Sequence, residues 1–326
     1  MNLGLIADIG GTNARFALTD LDASKPDLRD VKPLRCADFA SLQHACEHYL
    51  ESVGATPSRA AMAVASPVDT DEIRLTNRAW SFSRRELEQA LRLVHLRMLN
   101  DFGAVAWAVP ALSGDDAVPL YGPAALPPRS PVTVIGPGTG LGVALLTGDA
   151  THGWHVIETE GGHATFAPVI EEDRLIARWL DSLHGRTSNE RVLCGTGLAQ
   201  IDAVMRDPDR PAGQAPVLRD PADVVRLALE GHDVAARRAL ARFCAILGAV
   251  CGDAALMHGA RSVMIAGGIV PRFVPFLRAS AFRERFLAKG RFAAYLENVA
   301  IHVITHAQPG LLGAAVALRA TTETPR

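Results

Sequence analysis

The stretch Leu3-Gly4-Leu5-Ile6-Ala7-Asp8-Ile9-Gly10-Gly11-Thr12-Asn13 decides how the rest of the chain is read. An apolar run of strand length enters a tight glycine pair, and the chain then resumes an apolar course from Arg15 to Leu18. Adjacent glycines let a backbone turn sharply and bring its N–H groups close to an anion. Thr12 and Asn13 add side-chain donors, and Asp8 at the strand end is placed to hold a hydrated Mg2+ beside phosphates. This is a phosphate cradle on a hairpin. It is not a Walker loop, because no Gly-Lys-Ser/Thr follows. A plain Gly-Gly hairpin turn has the same local sequence, so the cradle needs support from elsewhere.

Support comes from residues 132–146, where strand, glycine-rich turn and strand recur. Here the turn is Gly136-Pro137-Gly138-Thr139-Gly140-Leu141-Gly142. Two such units in one chain predict an internal duplication, with two hairpins gripping one phosphate chain from opposite sides.

Around these loops, apolar strand-length runs alternate with helical periodicity. Helices are predicted over 39–53, from Ser83 onward, and over 102–109, 171–184, 233–258, 292–296 and 314–320, and strands over 60–65, 96–99, 263–266 and 300–304. Ser83 with Glu86 forms a capping-box pattern. Residues 21–31 read as a polar loop, and 113–130 as an irregular linker rich in Pro, Gly and Ala. The alternation predicts an α/β chain with largely parallel sheets, whose ligands bind beyond the carboxyl ends of the strands. Asp8, Ser66 and Asn100-Asp101 each end an apolar run and so fall at that edge.

At 326 residues the chain has room for two domains. A net charge of -2 gives no basic field, so neither nucleic acid nor a membrane is expected as a partner. The five cysteines (Cys36, Cys46, Cys194, Cys244, Cys251) are scattered, with no Cys-x-x-Cys and no zinc spacing. They read as reduced thiols. No basic leader precedes the first strand and no apolar run of bilayer length stands out, so a soluble, cytoplasmic protein is expected.

Asn100, Asp101, Glu160, His163 and Glu190 carry the remaining chemistry. A kinase acting on a hydroxyl needs a carboxylate to accept its proton, and a polyol needs further donors and acceptors to fix its other hydroxyls. Asp101 suits the base, because it ends a strand and opens a helix. Singly, each of these residues has an ordinary structural reading: a helix cap, a core histidine, a solvated charge.

Their order along the chain resembles the bacterial glucokinase family, which phosphorylates glucose with ATP. The matching stretches are Asp8 to Arg15, Leu99-Asn100-Asp101-Phe102, Gly136 to Val143, Glu160-Gly161-Gly162-His163, Glu190-Arg191-Val192-Leu193, Ala266 to Arg272 and Pro309 to Gly313. The resemblance implies a two-domain, actin-like ATPase (ribonuclease H-like) sugar-kinase fold with an interdomain cleft. Residues 1–111 plus 303–326 would form a small α/β domain and 112–302 a large one. It implies a phosphotransferase that makes glucose 6-phosphate and ADP, the first step of glycolysis. Asp101 would be the general base; Asn100, Asp101, Glu160, His163 and Glu190 would bind glucose. Asp8, Ile9, Gly10, Gly11, Thr12 and Asn13 would bind ATP, as would Gly136, Gly138, Thr139 and Gly140. Gly267 and Gly268 would lie against the adenosine. Mg2+ would be held partly through water by Asp8, with no residue assigned as a direct metal ligand. Family members are usually homodimers.

Two positions depart from the family pattern. Thr165 stands where Asp is usual after the histidine, and Cys194 where Ser is common, which implies a retuned sugar loop. Alternatives are a kinase for another hexose or a non-catalytic sugar sensor. DNA-binding relatives carry helices ahead of the first loop, and here that loop begins at residue 8.

Overall fold

A computed structural model describes residues 2–75, 80–124, 129–209, 214 and 216–320. The chain divides into two units, one of Met1–Ser113, Leu146–Glu158 and His306–Arg326, the other of Gly114–Leu145 and Thr159–Thr305. Residues 146–158 group with the first unit, whereas the predicted boundaries put them in the large domain.

In chain order the first elements are β1 (Leu3–Ile9), β2 (Asn13–Asp20), β3 (Arg29–Arg35), α1 (Leu42–Val53), β4 (Arg59–Val64), β5 (Glu72–Arg74), β6 (Ser81–Ser83), α2 (Arg84–Ala90), β7 (His95–Asn100) and α3 (Asp101–Ala108). There follow β8 (Ala117–Tyr121), β9 (Val132–Pro137), β10 (Leu141–Asp149), β11 (Gly153–Thr159), α4 (Glu171–His184), α5 (Asn189–Val192), α6 (Gly195–Arg206), α7 (Pro221–Glu230) and α8 (Val234–Met257). The chain closes with β12 (Ser262–Ile265), α9 (Val274–Ala279), α10 (Phe282–Leu287), α11 (Ala293–Glu297), β13 (Ala300–Ile304) and α12 (Pro309–Ala320).

The first unit is built on a five-stranded sheet ordered β3-β2-β1-β4-β7. β1 pairs antiparallel with β2 and parallel with β4, and β4 is parallel to β7. Both faces of β1 are covered, which explains its near-continuous apolar sequence. Leu5, Ala7 and Ile9 join a core that includes Phe16, Leu42 and Tyr49, while Ile6 points to one formed with α3 and α12. Trp154 and Val156, alternate residues of β11, pack on that second core. The register aligns Ile9 with Val64 and Val64 with Asn100. Two strand spacings of about 4.8 Å therefore put the ends of β1 and β7 about 10 Å apart on one edge.

A six-stranded sheet has the order β11-β10-β9-β12-β13-β8. Its first five strands repeat the pattern of the first sheet: a meander, then two parallel strands. The predicted duplication is thus visible in the topology. α8 runs through the core of the second unit, burying Leu240, Phe243, Leu247 and Cys251, each such Leu or Phe side chain contributing about 1.5–3 kcal/mol. Its 24 residues reach a mean hydropathy of 1.7 over 18 positions, so one apolar run does have bilayer length, contrary to the sequence expectation; 72% of that window is buried inside the unit. Core helices and membrane spans share a composition, and burial separates them here.

Other differences lie at edges. β3 begins inside the 21–31 stretch expected to be a polar loop and runs past its end, because an edge strand needs apolar residues on few positions. Within 113–130, β8 pairs antiparallel with β13 and tolerates Pro119 because it is an edge strand; residues 125–128 lie outside the described set. Ser83 caps α2 by accepting the Glu86 N–H at 3.2 Å, as its spacing predicts.

Candidate active site

In the first unit, the turn after β1 is closed by the Gly10 N–H donating to the Asn13 carbonyl at 3.0 Å. Cys36 fastens it from β3's end: its N–H donates to the Thr12 carbonyl at 3.0 Å and its thiol to the Gly10 carbonyl at 3.6 Å. Thr12 and Asn13 are exposed beside the half-buried Gly11, so this turn reaches solvent. Asp8, one residue before the end of β1, has its carboxylate 3.6 Å from Arg15 Nη1. Burial pushes the Asp8 pKa above its ordinary value, and Arg15 opposes that only in part. A half-buried carboxylate held this way gains from a cation. The first turn of α12 lies against it, since a Cβ on Gly310 would stand 3.0 Å from Asp8 Cγ.

At the end of β7, Asn100 rather than Asp101 is the N-cap of α3. Asn100 Oδ1 accepts the N–H groups of Phe102 at 2.9 Å and Gly103 at 3.2 Å. Asp101 is the first helical residue, and its Oδ1 accepts the Phe102 N–H at 2.8 Å. The local sequence explains this: Asn is among the best caps, and a carboxylate in the first turn faces the positive end of the helix dipole.

In the second unit, β9 extends through Gly136 and Pro137, which leaves a loop of only Gly138, Thr139 and Gly140 before β10. The Gly138 N–H donates to the Gly140 carbonyl at 2.8 Å, and the Gly195 N–H to the Gly138 carbonyl at 2.9 Å. The loop is therefore anchored on the first residue of α6. Gly267, after β12, has φ +93°, and a Cβ there would meet the Pro137 carbonyl carbon at 2.9 Å. A side chain at 267 would be both strained and blocked by the backbone of Gly136 and Pro137 at the end of β9. Gly268 follows with no such crowding.

The second unit also gathers three of the sugar-site candidates. His163 ends a short helical turn over Gly161–His163. Its Nε2 is 3.8 Å from Glu160 Oε2 and its Nδ1 is 3.9 Å from Glu190 Oε1. The other oxygen of Glu190 accepts the Leu141 N–H at 3.0 Å, at the end of the Gly138–Gly140 loop. Two carboxylates around an imidazole offer several acceptors and one donor at a half-exposed surface, which suits a polyol. Asn100 and Asp101 belong to the first unit, Glu160, His163 and Glu190 to the second.

Both departures from the family pattern have a local account. Thr165 Oγ1 accepts from Arg186 Nη1 at 3.2 Å, and the same nitrogen donates to the His163 carbonyl at 3.0 Å. A hydroxyl thus helps hold the arginine that clasps the histidine's backbone. Cys194 is the N-cap of α6, its sulfur accepting the Gly197 N–H at 3.2 Å. It does what a serine hydroxyl would do, more weakly. Burial pushes its thiol pKa up, so it is held as the neutral thiol.

Sequence reading missed the clamp made by Cys36 and the ion pair of Arg15 with Asp8. The first joins residues far apart in sequence, with no local signal. The second could have been inferred, because Asp8 and Arg15 face one another across the β1–β2 hairpin.

Comparison with known proteins bears on the whole chain. The Glucokinase family model matches residues 5–321. A glucokinase from Chromohalobacter salexigens is 44% identical over 316 residues, 96% of this chain and 97% of that protein. A second, from Tolumonas auensis, is 43% identical over 320 residues, covering 97% and 96%. Among solved structures, a glucokinase from an Antarctic psychrotroph is 36% identical with a TM-score of 0.85, over 98% of this chain and 99% of that one. The glucokinase of Balamuthia mandrillaris solved with glucose shares the fold at 22% identity, with a TM-score of 0.81 over 98% and 94%. The duplicated sheets are those of the actin-like sugar kinases. With loops, strand ends and helix caps all lying inside a match that runs nearly from end to end, the chain belongs to the glucokinase family.

Proposed function

We propose that this chain is an ATP-dependent glucokinase, transferring the γ-phosphoryl group of ATP to the 6-hydroxyl of glucose. Family membership supports the reaction class, and the grouping of Glu160, His163 and Glu190 carries the sugar reading. In this reading Asp101 accepts the proton of the 6-hydroxyl as the new P–O bond forms. Asn100, Glu160, His163 and Glu190 orient the sugar through its hydroxyls. The loops Asp8–Ile9–Gly10–Gly11–Thr12–Asn13 and Gly136–Gly138–Thr139–Gly140 supply N–H and side-chain donors to the phosphates, and Gly267-Gly268 give the adenosine a flat backbone to lie on.

Mg2+ fits this donor set. Among the described residues no group of three or more His, Cys, Asp or Glu side chains forms a metal cage. Asp8 is a hard oxygen donor whose burial favours a nearby cation. Such a pattern is usual for Mg2+, which keeps waters and binds through one carboxylate and the phosphates. When bound, the ion neutralises charge developing on the phosphate oxygens, and Asp8 would hold it. By the same resemblance the protein works as a cytoplasmic homodimer.

The test is ADP release from purified protein with Mg-ATP, with glucose, mannose, fructose, glucosamine or no sugar. Glucose-dependent release well above the others supports the proposal. Release with a different sugar alone overturns the substrate, and release with none, from folded protein, overturns the activity.

A further inference from the structure

We propose that Glu158 is a positioning residue for the Asn100-Asp101 corner, an inference that rests on the reading of Asp101 as the base. Glu158 sits two residues before the Glu160 motif and matches none of its residues. Its Oε1 accepts the Asn100 N–H at 2.9 Å. It is carried there by β11, whose alternation puts Trp154 and Val156 into the core beside α3, with Glu158 next on the same face.

The bond holds the corner from outside the sheet. Asn100 pairs with Val64 of β4 on one side, and β7 is an edge strand, so its outer backbone groups have no strand to meet among the described residues. Glu158 takes one of them. Asn100 caps α3 and Asp101 opens it, so the backbone N–H that Glu158 holds is that of the cap residue itself, directly before the candidate base. A shift of this corner moves the candidate base and a candidate sugar contact together.

A second observation points the same way. The Glu158 side chain rests on Gly103, where an added Cβ would meet its Cγ at 2.7 Å and its Cδ at 2.8 Å. Only glycine at 103 leaves room for the carboxylate, although Ala is the better helix former. Glu158 also faces Arg97, whose guanidinium lies 4.7 Å over the Trp107 ring; burial lowers the Arg97 pKa and the Glu158 charge opposes that. The side chain is thus bounded by Arg97, Gly103 and the Asn100 backbone. Because the bond is exposed to solvent, it contributes little to global stability, and its value lies in geometry.

Steady-state kinetics of Glu158→Ala, Glu158→Gln, Gly103→Ala and Asp101→Ala, each checked by thermal melting, test the proposal. Glu158→Ala is expected to lower kcat/KM for glucose about 10- to 100-fold with little change in melting, as for a misplaced catalytic group. Glu158→Gln keeps an acceptor for the Asn100 N–H and is expected within about threefold of the parent. Gly103→Ala, which leaves Glu158 in the chain but displaces it, is expected to reproduce the loss. The normalised pH–rate profiles of parent and Glu158→Ala should superimpose. Parent-like kinetics in Glu158→Ala, or an equal loss in Glu158→Gln, overturns the positioning role. So does a shifted acid limb, which would make Glu158 a titrating participant. Turnover retained in Asp101→Ala overturns the base assignment instead, which separates the two failures.

Discussion

Glu190 Oε2 accepts the N–H of Leu141 at 3.0 Å, so a candidate sugar contact is also a strut of the second glycine loop, the candidate phosphate site. The space beside Gly140 is filled by the same carboxylate. Charge-assisted hydrogen bonds of this kind contribute about 1.5–3 kcal/mol. Glu190→Ala is therefore expected to raise KM for glucose and for ATP together, each about 10-fold or more. Glu190→Gln, which can still accept from Leu141, is expected to raise KM for glucose alone. Two-substrate kinetics distinguish these, and an ATP KM unchanged in Glu190→Ala would show that the loop stands without it.

Asp101→Ala should lower kcat about a hundred- to ten-thousandfold, the range for loss of a general base. The helix should survive, because Asn100 supplies the cap. Glucose binding measured by calorimetry should persist. Near-normal turnover in this variant would remove Asp101 from the chemistry.

Cys194 and serine should be interchangeable at the start of α6. Cys194→Ser is expected to keep activity within about twofold and to hold or raise stability, since a hydroxyl is the better cap acceptor. Cys194→Ala loses the bond to the Gly197 N–H and should cost about 1 kcal/mol in urea unfolding. Equal stability of the Ala and Ser variants would mean that the sulfur's contact contributes nothing.

Arg186→Ala removes the donor shared by Thr165 and the His163 carbonyl. The histidine turn should loosen, raising KM for glucose several-fold, about 1 kcal/mol, with kcat little changed. Thr165→Asp would give Arg186 a charged partner and is expected to shift KM the other way. A kcat loss as large as the KM change would contradict a purely sugar-holding role for this loop.

His302 is fully buried in β13, its Nε2–H directed at the Ala124 carbonyl at 3.4 Å and its Nδ1 without a partner among the described residues. Burial holds its pKa below the ordinary 6.5, the Ala124 contact opposing only in part; His258 is shifted the same way by burial. As pH falls below the unfolded value near 6.5, the unfolded chain takes up protons that the folded chain resists, so stability is present above that pH and lost on acidification. The urea midpoint should be lower at about pH 5.5 than at about pH 7.5, and His302→Leu should reduce the difference. Parallel declines in parent and variant would place the acid sensitivity elsewhere.

Much of the molecule was legible along the chain. β1, the glycine turn and β2 appear because a tight turn between apolar runs is a local event. Asn100-Asp101 is visible at a strand-to-helix junction for the same reason, as is the long α8. Polar edge strands such as β3 were not legible, since few of their side chains face the core.

Local pattern alone carries the apolar strands, the glycine turns and the strand-to-helix junction, and with them the family, because short-range sterics and hydrophobic period act within a few residues. Packing brings Cys36 to clamp the first loop, Glu190 to brace the second, and Glu158 to reach the Asn100 backbone. Each is a contact between residues 26 to 58 positions apart. Such contacts depend on how sheets and hairpins pack, and no local pattern of side chains encodes that distance.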